Sequence, residues 1–167
     1  MKKILLITLV ALLGIATANA QIAKGTTVLI ASASGLDLSH ESNDGTKTTS
    51  FGLTGTGAHF VIDNLAIVGG LGFSYGKVTD RPSSTAFGLA LGARYYFVKT
   101  AYGSVLYRGE KAKGVDFASY ANLEVGYDIF ISDKVFLEPA VYYDKGFSKG
   151  VKKVSTFGLS FGIGIVL

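Results

Sequence analysis

The strongest constraint in this sequence is a two-residue alternation over its last fourteen residues, 154–167. The odd positions of this run carry large apolar side chains: Phe157, Leu159, Phe161, Ile163, Ile165 and Leu167. The even positions carry Thr156, Gly158, Ser160, Gly162, Gly164 and Val166. Because successive side chains of a strand point to opposite faces, the run predicts a strand with one bulky face and one small face. A soluble sandwich would place Lys, Glu, Thr and Gln on its outward face, whereas Gly and Ser suit a narrow interior. The pattern is therefore typical of a membrane-spanning strand whose apolar face meets lipid.

Similar alternation recurs along the chain and predicts eight strands in all. Their approximate ranges are 25–38, 48–61, 65–78, 84–97, 101–108, 115–131, 134–145 and 154–166. Short turns at 63–64, 98–100 and 132–134 alternate with longer charged loops at 39–47, 79–83, 109–114 and 146–153. An even strand count with this alternation predicts an all-β fold, an eight-stranded antiparallel up-and-down transmembrane β-barrel with its short turns in the periplasm. The barrel has to close, because an open sheet edge cannot face hydrocarbon.

The first twenty residues predict a secretory signal peptide. Lys2 and Lys3 precede an almost wholly apolar run at 4–15, and Ala18-Asn19-Ala20 has the small-x-small pattern of a cleavage site. The competing interpretation is a membrane anchor, but the apolar run is shorter than the roughly 20 residues that a spanning helix needs. We expect a signal peptide at 1–20 and one barrel domain at 21–167, exported to the outer membrane.

Composition removes several classes of protein. The chain has no cysteine, which excludes disulfides and a lipid-anchored cysteine. After residue 20 it holds 14 basic and 12 acidic side chains, a balance too mild to indicate a nucleic-acid partner.

Four charged residues fall on the small-residue face of their strands: Arg94, Glu124, Asp128 and Glu138. Charges inside a narrow barrel have to be paired, because desolvation of a lone charge is expensive. We predict a salt-bridged network that fills the lumen, with Arg108 higher on the fifth strand. The alternative is an ion path gated by the same residues. The narrowness of an eight-stranded barrel favours the filled lumen.

The longer loops are rich in basic residues. Lys145, Lys149, Lys152 and Lys153 are predicted to contact lipopolysaccharide phosphates, and an ordinary solvated loop is the alternative. The other charged residues assigned to these loops are Lys47, Arg81, Arg108, Glu110, Lys111 and Lys113. Aromatic residues near the predicted strand ends are expected to form girdles at the two membrane interfaces. They are Phe60, Tyr75, Tyr96, Phe97, Tyr107, Phe130, Phe136 and Tyr143.

No constellation of residues predicts catalysis, a metal or a cofactor. His40, Glu41 and Asp44 have metal-ligand side chains, but their spacing matches no known site and favours a turn. His59 lies near a short turn, and the sequence offers it no evident serine or acidic partner, so a lipid-modifying enzyme is disfavoured.

Three segments give the chain a resemblance to the small outer-membrane β-barrels, the family that includes the membrane domain of outer-membrane protein A. They are the strand 88–97 ending in Arg-Tyr-Tyr-Phe, the strand–turn–strand unit 60–72, and the terminal strand from Phe157. The resemblance covers 21–167 and is greatest to barrels of this kind from Bacteroidetes. It implies assembly by the outer-membrane insertion machinery, which recognises an alternating terminal strand that usually ends in an aromatic residue; here the last residue is Leu167.

Together these observations predict a monomeric, non-enzymatic integral outer-membrane β-barrel that contributes to envelope structure or surface interaction. Its partners would be outer-membrane lipids and lipopolysaccharide. Two alternatives stay open: a narrow pore for small solutes or ions, and a soluble exported β-barrel that carries a lipophilic ligand. The pore would show conductance, and the soluble carrier would have an apolar lumen.

Overall fold

A computed structural model describes residues 23–34, 48–78, 83–114, 116–149, 151–152 and 154–167. The predicted signal peptide lies outside the described residues. The strands are β1 (Thr27–Ser34), β2 (Thr48–Ile62), β3 (Leu65–Val78), β4 (Ser84–Tyr96), β5 (Ala101–Ala112), β6 (Ala118–Tyr127), β7 (Ile129–Phe130), β8 (Val135–Gly146) and β9 (Ser155–Val166). Within these ranges we find no helix with the length and apolar character needed to cross a bilayer.

The strands form one closed antiparallel sheet. Each strand from β1 to β5 pairs with the next, and β8 pairs with β6, β7 and β9. The two ends of the chain close the barrel, because β1 pairs with β9 from Val28 opposite Val166 to Ser34 opposite Ser160. β6 and β7 are one strand interrupted at Asp128. The predicted fold class, an eight-stranded antiparallel up-and-down β-barrel, is therefore confirmed.

Tight connections mark one end of the barrel, which we call the turn end; the opposite end is the loop end. Between β2 and β3 the turn is Asp63-Asn64, and Asn64 adopts a φ of 66°, a left-handed conformation that asparagine tolerates in turns. The register of this hairpin shifts between Phe60 and Ile62, which is a β-bulge beside the turn. Such a bulge twists the strand end locally and leaves the sheet above it in regular register.

The exterior of the barrel is apolar. In β9, Phe157, Leu159 and Phe161 are 74%, 58% and 55% exposed, whereas the intervening Ser160 is 8% exposed. Strands β2 to β8 also expose large apolar residues, among them Leu53, Leu71, Phe87, Leu91, Val105, Leu123, Val125 and Leu137. A soluble protein rarely exposes so continuous an apolar surface, because water disfavours it. The side-chain directions predicted from the terminal strand are those of the structure.

Strand β5 is longer than the sequence predicts. The predicted strand ends at 108, whereas β5 continues to Ala112, so Glu110 and Lys111 lie in the strand and the assignment of these residues to a loop was wrong. The extension pairs Glu110 with Gly88 of β4 and Ala118 of β6. Charged residues therefore do not end this strand, because its pairing with β4 and β6 continues through them.

Candidate functional site

The lumen contains a buried ion cluster centred on Arg94 of β4. Its guanidinium lies 2.5 Å from a carboxylate oxygen of Glu138 on β8 and 3.3 Å from one of Glu124 on β6. Glu124 also accepts hydrogen bonds from the hydroxyls of Tyr102 and Ser104, at 3.1 and 3.3 Å. The guanidinium carbon is 3.7 Å from the centre of the Tyr102 ring, a cation–π geometry. Three strands are thus tied together across the barrel by one cation.

Asp128 lies beside this cluster and has a different partner. It accepts a hydrogen bond of 2.8 Å from the Tyr96 hydroxyl, and its backbone N–H donates to the Thr100 carbonyl at 2.7 Å. The second bond is made at the break between β6 and β7, where the strand departs from regular pairing. The structure therefore brings Arg94, Glu124 and Glu138 into direct ion pairs and links Asp128 to the lumen through Tyr96.

A second ion cluster lies nearer the loop end. Arg108 pairs with Asp144 at 2.6 Å and with Glu110 at 3.0 Å, and the Asn122 side-chain amide donates to Asp144 at 2.8 Å. Arg108 was predicted both high on the fifth strand and among the loop charges, Glu110 was predicted on a loop, and Asp144 and Asn122 were not predicted as members of the lumen network. A signal was available, because Asp144 follows Glu138 at an even position of the same strand and Asn122 precedes Glu124 in the same way.

At the turn end the lumen is filled by an aromatic plug, which we define as Phe60, Tyr96, Tyr102 and Phe136. All four side chains are at most 2% exposed. They pack with smaller apolar residues: Val28, Ile30, Ala58, Ala66 and Val68. The prediction that Phe60, Tyr96 and Phe136 form an interfacial girdle was wrong. They occupy even positions, so they point inward by the same alternation that turns their odd-numbered neighbours towards lipid.

Glycines opposite the rings make room for them. Tyr102 is paired directly with Gly126, and Phe136 with Gly164. A Cβ atom added at either glycine would overlap the facing ring. Tyr142 and Gly158 repeat the arrangement nearer the loop end. The glycine-rich small face of these strands is therefore the complement of inward aromatic rings.

Little empty space is left inside. Two lumen cavities of about 50 and 70 Å³ lie around Arg108, and the larger one extends to Arg94. Since a water molecule takes up roughly 30 Å³, each has room for one or two waters. Arg94 and Asn122 line the larger cavity, and their buried Nε and Oδ1 atoms have no hydrogen-bond partner within the protein, so waters there could satisfy them. Among the described residues, the lumen thus contains two small cavities around Arg108 and is filled by the aromatic plug at the turn end.

Other predicted positions lie on the outside of the barrel. Lys145, Lys149 and Lys152 are exposed at the loop end, and Lys145 donates to the Ser155 hydroxyl at 2.9 Å. Lys153, Lys47 and Arg81 lie outside the described residues, as do His40, Glu41 and Asp44. Over the described ranges, no group of three or more His, Cys, Asp or Glu side chains could hold a metal ion.

His59 has a partner that the sequence analysis missed. Its Nδ1 atom lies 2.9 Å from the Thr27 hydroxyl, since the two residues are paired across β1 and β2. The pair faces outward at the turn end. In a nucleophilic site the imidazole contacts both a nucleophile and a group that orients it. The hydrogen bond found for His59 joins it to Thr27.

Comparison with solved structures assigns the fold. The barrel is similar to the backbone structure of the Yersinia pestis outer membrane protein Ail, with a TM-score of 0.60 and 9% identity over 86% of this chain and 100% of that one. It is also similar to the N-terminal β-barrel domain of Pseudomonas aeruginosa OprF, with a TM-score of 0.57 and 15% identity over 86% and 98% of the two chains. For the outer membrane protein OprG of the same organism the TM-score is 0.56, with 14% identity over 89% and 98%.

No protein-family model matches the chain, and neither does any curated protein sequence. The similarity to these solved structures is therefore a similarity of fold. The predicted resemblance to small outer-membrane β-barrels is confirmed at this level, and the greater resemblance to barrels from Bacteroidetes stays a prediction.

Proposed function

We propose that this chain is an integral outer-membrane protein that neither conducts nor catalyses, and that it contributes to envelope structure and to interactions at the cell surface. The apolar exterior and the fold shared with outer-membrane barrels support the location. The turn end then faces the periplasm and the loop end faces outward, as short turns and long loops do in such barrels.

One observation carries the proposal against a pore: the aromatic plug at the turn end. An ion crossing the lumen would have to pass Phe60, Tyr96, Tyr102 and Phe136, all closely packed and almost fully buried. It would leave water for a segment filled by packed aromatic rings, and desolvation of an ion there is expensive. The Arg94 cluster lies above the plug and supplies no opening through it.

We predict that the protein is silent in planar bilayers. The barrel, inserted from purified folded protein, should give no stepwise conductance, because the plug blocks the path. Heat-modifiable electrophoresis of the same preparation controls for folding, since a folded barrel migrates faster before boiling than after it. Regular conductance steps from a preparation that is folded by this criterion would contradict the proposal and favour the pore.

The lysines of the last loop are proposed to contact lipopolysaccharide phosphates. Lys145 supports this because it is exposed at the loop end and follows Tyr143 on the outward face of β8. Attraction between such exposed charges is favourable and is screened by salt.

We predict that exchange of Lys145, Lys149 and Lys152 for glutamine weakens lipopolysaccharide retention, and that the difference shrinks at high salt. Lipopolysaccharide that copurifies with the barrel is the measured quantity. Lys99→Gln is the matched control, because this exposed lysine lies at the turn end. Equal retention by the triple variant and the control at low salt would refute the contact.

A further inference from the structure

An apolar trough crosses the outside of the barrel over β1, β2 and β3. Its volume is about 850 Å³, and it is open to the outside of the barrel. Its floor is formed by Ala31, Gly55, Gly57 and Gly69, and its rim includes Leu71 and Ile163. The surrounding lipid-facing surface is built of Leu, Ile and Phe side chains, so the trough is a gap in that layer.

The register explains the gap. Gly55 is paired with Ala31 on one side and Leu71 on the other, and the next outward-facing pair joins Gly57 to Gly69. A Cβ atom added at Gly55 or Gly69 would meet no heavy atom within 4 Å. Unlike the lumen glycines opposite Tyr102 and Phe136, these two leave open space. Packing inside the protein therefore does not account for them.

The trough ends at polar groups on the turn-end side. The next outward-facing pair beyond Leu29 and Gly57 is the hydrogen-bonded Thr27 and His59. Lys24 lies beyond them, with its backbone N–H bonded to Asp63 at 2.9 Å, and Lys134 immediately precedes Val135 of the trough lining. Both signs of charge thus occur at one end of an otherwise apolar channel.

We propose that the trough binds one zwitterionic glycerophospholipid with a phosphate and a primary ammonium, such as phosphatidylethanolamine. One acyl chain would lie over the glycines, where apolar contact is favourable. The phosphate would meet Lys134, Lys24 and His59, and the ammonium would meet Asp63. A purely anionic head group would be attracted by Lys134 and Lys24 but repelled by the Asp63 carboxylate. The presence of both charges therefore favours a zwitterionic head group. This inference rests on the proposed membrane location.

Lipid counting tests the acyl-chain site. The full chain is folded into vesicles of equal phosphatidylethanolamine and phosphatidylglycerol, extracted in mild detergent, and its retained lipid is counted by native mass spectrometry. We expect about one phosphatidylethanolamine per barrel, and a roughly tenfold loss in Gly55→Leu and Gly69→Leu, because leucine fills the trough. Ala121→Leu is the control. It places the same leucine side chain on the outward-facing side of β6, across the barrel, and should retain lipid like the parent.

Head-group preference tests the polar rim. Lys134→Gln should keep the bound chain and lower the ratio of phosphatidylethanolamine to phosphatidylglycerol towards that of the vesicle. Parent-level retention in both glycine variants would overturn the proposal, as would a retained ratio equal to the bulk ratio in the parent. A dimer that the glycine variants dissociate would assign the trough to a second copy and overturn it too. Failure of the proposed location is seen separately, as protein that does not float with vesicles.

Discussion

Arg94→Met is expected to destabilise the barrel by about 3–5 kcal/mol, the range found when one partner of a buried ion pair is removed. Arg94 is 3% exposed and holds two carboxylates, Glu124 and Glu138, that have little access to water. Without the guanidinium the two acids repel each other inside the lumen, and the Tyr102 ring loses its cation. Equilibrium urea unfolding in vesicles, followed by heat-modifiable electrophoresis, measures the change.

Two further variants separate this effect from lost packing. Arg108→Met removes the arginine of the second lumen cluster. We expect a smaller loss of about 1 kcal/mol, because Arg108 and Glu110 are each 29% exposed and the buried Asp144 keeps its hydrogen bond from Asn122. Exchange of Glu124 and Glu138 for glutamine within Arg94→Met should recover part of the loss, since it removes the uncompensated charges. If Arg94→Met costs no more than Arg108→Met, the first cluster does not hold the lumen together.

Phe161→Arg is expected to destabilise the barrel by about 2–4 kcal/mol, because Phe161 lies midway along the outward apolar row of β9. The cost should depend on depth. Ile165→Arg, near the turn end, should cost only about 0–1 kcal/mol, since arginine there reaches the interface. Urea unfolding in vesicles compares the two. In a soluble barrel both substitutions would place a charge in water and leave stability nearly unchanged, so equal and small effects would contradict the lipid-facing assignment.

The sequence predicted the fold because side chains of a strand alternate between two faces. Once one face has to contact lipid, the direction of every side chain in the strand is determined. Alternation in the terminal strand assigns Phe157, Leu159 and Phe161 to the exterior, and the structure exposes them. The same parity placed Arg94, Glu124 and Glu138 on the small-residue face, and the structure joins them by ion pairs. The carboxylates that contact Arg94 depend on the stagger between strands that are distant in sequence. Local alternation does not determine that stagger.

The errors have two physical causes. Phe60, Tyr96 and Phe136 were assigned to an interfacial girdle because aromatic residues near strand ends often serve there. Their even positions already pointed inward, and the facing glycines, such as Gly164 opposite Phe136, were the available signal. Glu110 was assigned to a loop because charge was taken to end the strand. Glu110 lies in the second lumen cluster, where it pairs with Arg108, so its charge is compatible with a strand that continues to Ala112.

Other features could not be read from sequence. The bond between Thr27 and His59 requires the register of β1 against β2, and the trough requires the registers of three strands together. Individual lipid-facing glycines such as Gly55 and Gly69 look in sequence like the lumen glycines. Their odd or even position and their neighbours across the sheet show whether a glycine borders open space or faces an aromatic ring.

A single tryptophan tests the side-chain directions most directly, because the chain contains none of its own. In Phe161→Trp the indole should face acyl chains. Its emission should be blue-shifted, and lipids brominated near the middle of the chain should quench it strongly, while aqueous iodide should not. Emission at long wavelength that iodide quenches and brominated lipid leaves unchanged would show that this face meets water, and the account of a lipid-facing exterior would be wrong.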